Sequence, residues 1–319
     1  MQRVDERTGM RRYDSSVISG HIPPVSRPRK QLQLTLRRRE ALTGIAFAAL
    51  PVAGFTVFYV IPFCITIYRT LYTPTGGHFV GMSHYNSVLR SEAFRLAAGN
   101  TFRFIGIGVP LLLALSLAFA LMLNTRIKGK DGFRTAFILP MILPTASVIL
   151  VFQIFFDSGG VINYILAKIG IDTVAFLYSG NAFWVLIFLY IWKNAGYVIV
   201  LTMAGLIQIP KELYENASID GAGGLRQFRK ITLPMMGPTL FFVTIISISG
   251  AFKSFREAFA LAGSYPHESI YMLQHFMNNN FAKLNYPRLS VAAVLTFIIV
   301  FLFVLVMFIW HEKRGRIYE

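Results

Sequence analysis

Six long apolar runs, separated by shorter polar segments, form the main pattern along this chain. A helix crosses the roughly 30 Å hydrocarbon layer of a bilayer with about 20 mostly apolar residues, so each run predicts a transmembrane helix. The runs are residues 43–68, 100–123, 134–156, 183–208, 236–262 and 289–310. Several contain proline, which membrane helices tolerate where neighbouring helices satisfy the freed carbonyls. The pattern therefore predicts an all-α integral membrane protein whose spans pack as a bundle.

The composition supports this prediction and excludes a soluble nucleic-acid binder. Of the 319 residues, 55% are hydrophobic and 14% are charged, which lies outside the range of soluble domains. The formal net charge is +16, but the basic residues stand at the ends of apolar runs instead of on one water-facing surface. The single cysteine, Cys64, excludes a disulfide within the chain, and its apolar surroundings favour a packing role.

The distribution of Lys and Arg predicts the orientation in the membrane. With a cytoplasmic amino terminus, the inside segments hold 21 Lys and Arg and the outside segments hold six, a strong positive-inside bias. Both termini are therefore expected in the cytoplasm. Residues 1–40 form a basic amino-terminal segment without a signal-peptide core, so the first run of the 41–319 membrane domain is expected to be an uncleaved anchor. A solvated tail is favoured over binding of anionic lipid or a partner.

Two connecting segments stand out between the runs. Residues 157–182 contain a short apolar stretch, 161–167, which is too brief to span and is expected at the outer surface or over a pore entrance. On the inside, residues 212–234 read "ELYENASIDGAGGLRQFRKITLP". Helix formers over 211–218 and an amphipathic pattern over 225–231 predict two short helices. Glycines between them permit a sharp reversal, so a two-helix protrusion from the membrane face is expected.

This inner segment resembles the EAA loop of permease subunits of binding-protein-dependent ABC importers. The matching residues are Glu215, Ala217, Asp220, Gly221, Ala222, Phe228, Ile231, Leu233 and Pro234. Asn216 replaces the first alanine of the pattern. The segments "FVGMSHYNSVL", "NTFRF", "FRTAFILPMILP" and "AGLIQIPKELYE" are similar to the sugar-permease branch, the maltose and glycerol-phosphate type.

The resemblance implies a type I ABC importer permease fold with six helices, in a bacterial cytoplasmic (inner) membrane. It also implies a second permease subunit, two cytoplasmic ATPase subunits, an external solute-binding protein and a saccharide substrate. Residues 209–234 are then the coupling loop, in which Glu215, Ala217, Asp220, Gly221 and Ala222 contact the ATPase. Glu215 is suited to pair with a partner arginine, and Gly221 permits close backbone approach.

Nucleotide chemistry is not expected in this chain. The sequence has no G-x-x-x-x-G-K-[ST] phosphate loop, so ATP and Mg²⁺ are expected on the partner ATPases and no cofactor is expected here. The chain is therefore not predicted to be an enzyme. The six histidines lack metal-ligand spacing, so no metal site and no catalytic residue are expected.

Charged residues inside the predicted spans suggest a substrate path, because burying an ionisable group in a membrane is costly. Lys193 lies near the middle of span four, and Lys253, Arg256 and Glu257 lie in the outer half of span five at i, i+3 and i+4, a spacing that predicts a shared face. The path is predicted to comprise Lys193, Asn194, Tyr197, Trp192, Lys253, Arg256 and Glu257.

One interpretation of these charges is internal pairing of Glu257 with Lys253 or Arg256. Three cations against one anion still leave two positive charges, which favours an acidic saccharide such as a uronate oligomer, with tyrosines and Trp192 stacking on sugar faces. The stretch "LAGSYPHESIYMLQHFMNNNF" after span five resembles an alginate-type branch of the family. Alternatively, residues 263–288 contact the solute-binding protein.

Two other classes of protein remain as alternatives. An ion-coupled secondary transporter would favour acidic residues in the spans, and only Glu257 qualifies. A membrane-embedded enzyme is disfavoured because no catalytic constellation is present.

Overall fold

The computed structural model describes residues 30–73, 77–124 and 130–315. Nearly all of this part is helical, which confirms the predicted all-α class. The chain divides into two compact units, Met1–Pro62 and Phe63–Glu319. The predicted boundary at residue 40 falls within a helix, Lys30–Phe55, and residues 1–29 of the basic segment lie outside the described part, so that segment stays a prediction.

The first unit is helical throughout its described part. Helix α1 (Lys30–Phe55) continues through a π-helical turn (Thr56–Val60) into α2 (Ile61–Leu71), which extends into the second unit. Its apolar side chains are exposed, including Phe47 and Leu50 at 81% and 82%. Such a surface is compatible with lipid as its surroundings.

The second unit holds the remaining helices. They are α3 (Ser83–Leu89), α4 (Glu92–Leu123), α5 (Lys130–Ile142), α6 (Thr145–Phe156), α7 (Val161–Lys168), α8 (Ala182–Ile207), α9 (Lys211–Ile219), α10 (Gly224–Gln227), α11 (Leu233–Met235), α12 (Gly237–Lys253), α13 (Phe255–Ala262), α14 (Leu273–Ala282) and α15 (Tyr286–Gly315). A π-helical segment, Phe228–Thr232, joins α10 to α11.

Six segments of the described residues are long and apolar enough to cross a membrane, as predicted. They are Glu40–Leu71, Glu92–Leu123, Thr145–Lys168, Ala182–Ile207, Gly237–Ala262 and Tyr286–Ile309. The third segment differs from the predicted run 134–156, because the helix breaks at Leu143 and Pro144 and the segment extends to Lys168. It therefore includes the stretch 161–167, which was expected at the outer surface. Proline lacks a backbone N–H and disfavours a helical conformation at the preceding residue, so α5 and α6 are separate helices.

Helix α8 is the central element of the second unit, and half of its most apolar stretch is buried. Its contacts with α4 and α12 form the largest core cluster, in which Phe104, Leu112, Leu186 and Tyr190 are almost fully buried. Tyr190 also donates a hydrogen bond of 2.7 Å to the backbone oxygen of Ser247, which joins α8 to α12.

Small residues let neighbouring helices approach α8 closely. A Cβ added at Gly196 would collide with the backbone oxygen of Phe137 in α5, and one at Gly205 would collide with the Thr239 side chain in α12. Close approach at small residues is a common basis of helix packing in membranes. The short α5 therefore packs tightly against the middle of α8.

The segment between α13 and α15 folds back on the start of α4. Thr101 of α4 accepts a hydrogen bond of 3.0 Å from the backbone N–H of Leu273, and Asn100 donates one of 2.9 Å to the backbone oxygen of Tyr271. His275, in α14, is fully buried, and burial lowers its pKa to about 4. The imidazole is therefore neutral at pH 7 and serves packing.

Candidate coupling loop and intramembrane charge site

The inner loop has the predicted two-helix form. Helix α9 ends in a glycine motif: the N–H of Gly221 bonds the Ser218 oxygen at 3.1 Å, and the N–H of Ala222 bonds the Ala217 oxygen at 2.8 Å. This pair of bonds defines a Schellman motif, which requires a left-handed residue just past the helix end. Gly221 supplies it with φ +76°. The pattern Ala217, Asp220, Gly221, Ala222 thus describes one sharp helix end.

Side chains outside the recognised motif hold the two helices together. Gln227 donates hydrogen bonds of 2.9 Å to the Ser218 hydroxyl and 3.0 Å to the Ala222 backbone oxygen. The hydroxyls of Tyr214 and Thr232 lie 2.9 Å apart. Tyr214 also packs against the core cluster at the adjacent ends of α4, α8 and α12. The loop is thereby a braced unit, called here the bracket (residues 211–235), that is fixed to the spans.

The outer side of the bracket combines apolar and acidic groups. Ile219 and Leu213, both on α9, are 84% and 39% exposed. Glu215 and Asp220 are also exposed, and neither forms an ion pair within the described part of the chain. Exposed apolar side chains beside unpaired charges are typical of a surface that binds another protein.

The charged residues of the spans are arranged differently from the prediction. The ion pair joins Glu257 of α13 to Lys193 of α8, with Nζ and Oε1 2.5 Å apart. Lys193 also donates a hydrogen bond of 2.8 Å to the Thr145 hydroxyl at the start of α6. Pairing of Glu257 with Lys253 or Arg256 is therefore not what the structure contains.

The expected shared face of span five is also wrong. The helix is interrupted at Ser254, between α12 and α13, so regular helical spacing does not continue across these residues. Glu257 is buried and directed to α8, whereas Lys253 and Arg256 are exposed. Neither of these cations has an acidic partner within the described residues.

The other predicted path residues have mixed surroundings. The Trp192 ring packs 5.8 Å from that of Phe152, and the Asn194 amide donates to the Tyr190 backbone oxygen at 2.8 Å. Tyr197 is 38% exposed. The structure therefore joins Lys193 with Glu257 directly but leaves Trp192 and Asn194 in intramolecular contacts.

The charge pair lies where two helices are broken. Lys193 is about 16 Å along α8 from its first residue, near the middle of a helix of 26 residues. Thr145 follows the break at Pro144, and Glu257 follows the break at Ser254. Discontinuous helices around polar groups at mid-membrane are typical of substrate sites in transporters.

The sequence interpretation missed one further cation inside a span. The Arg103 guanidinium of α4 lies 4.6 Å from the centre of the Phe183 ring, a cation–π contact. Arg103 could have been found from the sequence by counting the ionisable residues in each apolar run, because it lies within the run 100–123. Among the described residues, no group of three or more His, Cys, Asp or Glu is placed to hold a metal ion.

Six spans, a braced loop and a mid-membrane charge pair define a multi-pass membrane transport subunit. The family of binding-protein-dependent transport system inner membrane components matches residues 111–314, and the chain belongs to this family. It is therefore a sugar ABC importer permease of the inner membrane, as the resemblance implied, and its family is a transport and not an enzyme family.

Relatives and solved structures agree with this assignment. The chain is 30% identical over 287 residues to the trehalose/maltose transport system permease protein MalF of Thermococcus litoralis, covering 88% of this chain and 96% of that protein. It is 35% identical over 197 residues to the arabinooligosaccharides permease AraP of Halalkalibacterium halodurans, covering 60% and 62%. A bacterial ABC transporter involved in import of the acidic polysaccharide alginate has the same fold, with TM-score 0.76, 24% identity and coverage of 89% and 99%.

Proposed function

We propose that this permease joins a second permease subunit, two cytoplasmic ATPases and an extracytoplasmic solute-binding protein to import an oligosaccharide. Both termini lie in the cytoplasm, and ATP and Mg²⁺ are bound by the ATPase subunits alone. A solved alginate transporter in complex with its periplasmic protein supports an assembly of this kind. The observation that carries the proposal is the bracket, which presents unpaired acids and exposed apolar side chains.

The bracket couples the ATPases to the spans as a rigid body. Its tip is stiffened by the glycine motif at Gly221 and by the hydrogen bonds of Gln227, so displacement of the tip is transmitted to the base of the bracket. Its base is joined to the spans through Tyr214 and Thr232. Glu215 and Asp220 are free to pair with cations of an ATPase cleft.

Charge reversal on α9 tests the coupling. Glu215→Arg replaces an exposed acid of the tip with a cation, whereas Glu212→Arg makes the same change in the first turn of the same helix. We expect Glu215→Arg to remove the ATPases from the purified complex and Glu212→Arg to retain them. Equal retention by both variants contradicts the assignment, and transport that persists without ATP favours an ion-coupled transporter.

The substrate is an acidic oligosaccharide in this proposal. Its support is the excess of cations: Glu257 neutralises Lys193, so the exposed Lys253 and Arg256 are left without an anion in the described chain. A uronate carboxylate is the ligand chemistry that matches such cations in the outer half of a span. The shared fold with an importer of the acidic polysaccharide alginate agrees with this choice.

Matched sugars test the acidic preference. Transport of a uronate oligomer and of its neutral counterpart of equal length is compared in proteoliposomes for the native complex and for Lys253→Gln with Arg256→Gln. We expect the double variant to lose uronate transport by at least about tenfold, the equivalent of one charge-assisted hydrogen bond, with little effect on residual neutral transport. Arg103→Gln is the control for loss of an intramembrane cation elsewhere. A native preference for the neutral sugar that survives the substitutions rejects the proposal.

A further inference from the structure

A basic concavity of about 540 Å³ opens on the second arm of the bracket, the arm that leads to span five. It is lined by Gly223, Gly224, Leu225, Arg226, Arg229 and Lys230. All three cations are exposed, and none has an acidic partner in the described chain. The sequence itself has no acidic residue between Asp220 and Glu257. The protein therefore supplies no local counter-charge along this segment.

The three cations lie close together because they line the same concavity, on the short α10 and the π-helical segment that follows it. Like charges held near one another repel and destabilise the structure that carries them. An anion bound in the concavity removes this repulsion.

The position along the chain places Arg229 and Lys230 close to the lipid headgroup layer. Apolar residues begin directly after Lys230, and span five begins at Gly237, about 10 Å further along the helical backbone. Leu233 and Met235 are 41% and 50% exposed although they are apolar, as expected for side chains in contact with lipid. The headgroup layer extends roughly 5 to 7 Å beyond the hydrocarbon, so Lys230 and Arg229, whose backbone lies beyond that layer, reach it only with their long side chains.

We propose that the concavity binds the phosphate of an anionic phospholipid, with Arg226, Arg229 and Lys230 as its ligands. Arginine forms paired hydrogen bonds to phosphate oxygens, and basic residues beside a span are attracted to anionic lipid. The acids Glu215 and Asp220, on the other arm of the bracket, are the groups that suit a basic partner protein. Lipid is therefore the occupant favoured for the basic arm, and its assignment to the inner leaflet rests on the orientation in the proposed function.

The test measures retained lipid on the whole transporter. The assembled complex is placed in nanodiscs of equal parts phosphatidylcholine and phosphatidylglycerol, released, and examined by native mass spectrometry for bound lipid. The triple variant Arg226→Gln, Arg229→Gln, Lys230→Gln is compared with native protein. The single variants Arg229→Gln and Lys211→Gln each remove one cation from the same loop, and Lys211 lies outside the concavity.

We expect roughly a fivefold loss of retained phosphatidylglycerol for Arg229→Gln, about a hundredfold for the triple variant and no loss for Lys211→Gln. Equal retention in the native protein and the triple variant overturns the proposal. Displacement of the lipid by inorganic phosphate at equal potency assigns the concavity to free phosphate and also overturns it. Loss of the ATPases from the triple variant in pure phosphatidylcholine shows that the concavity binds the ATPases. This result also overturns the proposal. The coupling variant Glu215→Arg is expected to retain its lipid, so failure of one proposal is distinguishable from failure of the other.

Discussion

The ion pair between Lys193 and Glu257 predicts a strong non-additive effect on stability. Its side chains are 17% and 11% exposed, so loss of one partner leaves the other charge largely buried. Breaking a buried pair costs about 3 to 5 kcal/mol, and the partial exposure of this pair favours the lower value. Lys193→Met and Glu257→Leu are each expected to destabilise the protein by about 3 kcal/mol.

The double variant separates a real pair from two independent charges. Removal of both groups leaves no uncompensated charge, and the Thr145 hydroxyl loses one donor. We expect Lys193→Met with Glu257→Leu to cost no more than about 1 to 2 kcal/mol, which is less than either single change.

Thermal denaturation of the detergent-solubilised complex, followed by fluorescence-detected gel filtration, measures this difference. At about 2 to 4 °C per kcal/mol, each single variant is expected to lower the midpoint by roughly 6 to 12 °C, and the double variant by much less. The control combines Glu257→Leu with Lys253→Met, where simple additivity is expected because Lys253 is exposed and lies outside the pair. A Lys193 and Glu257 double variant as unstable as the sum of its parts refutes the pairing.

Three other predictions concern packing and protonation. Gly196→Ala is expected to destabilise the protein by about 1 to 3 kcal/mol, because the added Cβ collides with the backbone of α5. Gly106→Ala, which has open space around its Cβ, is expected to be tolerated. The two variants are compared by folded yield and melting midpoint. Asn163→Ala removes hydrogen bonds to Asp157, Ser158 and Val174, so hydrogen exchange is expected to rise locally around residues 157–182 with little change in the spans. Burial holds the pKa of His275 at about 4 while the unfolded value is near 6.5, so the unfolded state binds the proton first as pH falls. Stability is therefore expected to decline by up to about 3 kcal/mol from pH 7 to pH 4. His275→Gln is expected to flatten that part of a plot of melting midpoint against pH.

The sequence was sufficient for five of the six spans and for the form of the bracket because both depend on local rules. A run of about 20 apolar residues indicates a span whatever its neighbours are. The positive φ at Gly221 similarly follows from a helix end that only a few residues tolerate. The break at Pro144 was readable in the same way, but the proline was interpreted as one that a continuous helix accommodates.

The candidate site was less predictable because it depends on contacts between helices. Glu257 and Lys193 are 64 positions apart, and helical spacing assigned the glutamate to nearer cations instead. Spacing predicts a shared face only while the helix is regular, and the interruption at Ser254 removes that condition. Gln227 is likewise not part of the family motif, and its hydrogen bonds across the loop are evident only in the folded structure.

The bracket and the charge pair belong to one helical hairpin, and this arrangement gives coupling a structural basis. Helix α8 runs from Lys193 to the bracket, and α12 with α13 returns from the bracket to Glu257. Lys193 is about 21 Å from the last residue of α8, a distance spanned by continuous helix. The close approach at Gly205 and the hydrogen bond from Tyr190 to Ser247 hold the two arms together along that length. If the packed hairpin moves as a body, as the proposed coupling requires, we expect displacement of the bracket to move Lys193 and Glu257 as well. The ion pair also contacts α6, on another span, through Thr145, so we expect motion of the hairpin to reach α6 at this pair, in addition to α4 and α5, which pack directly on α8.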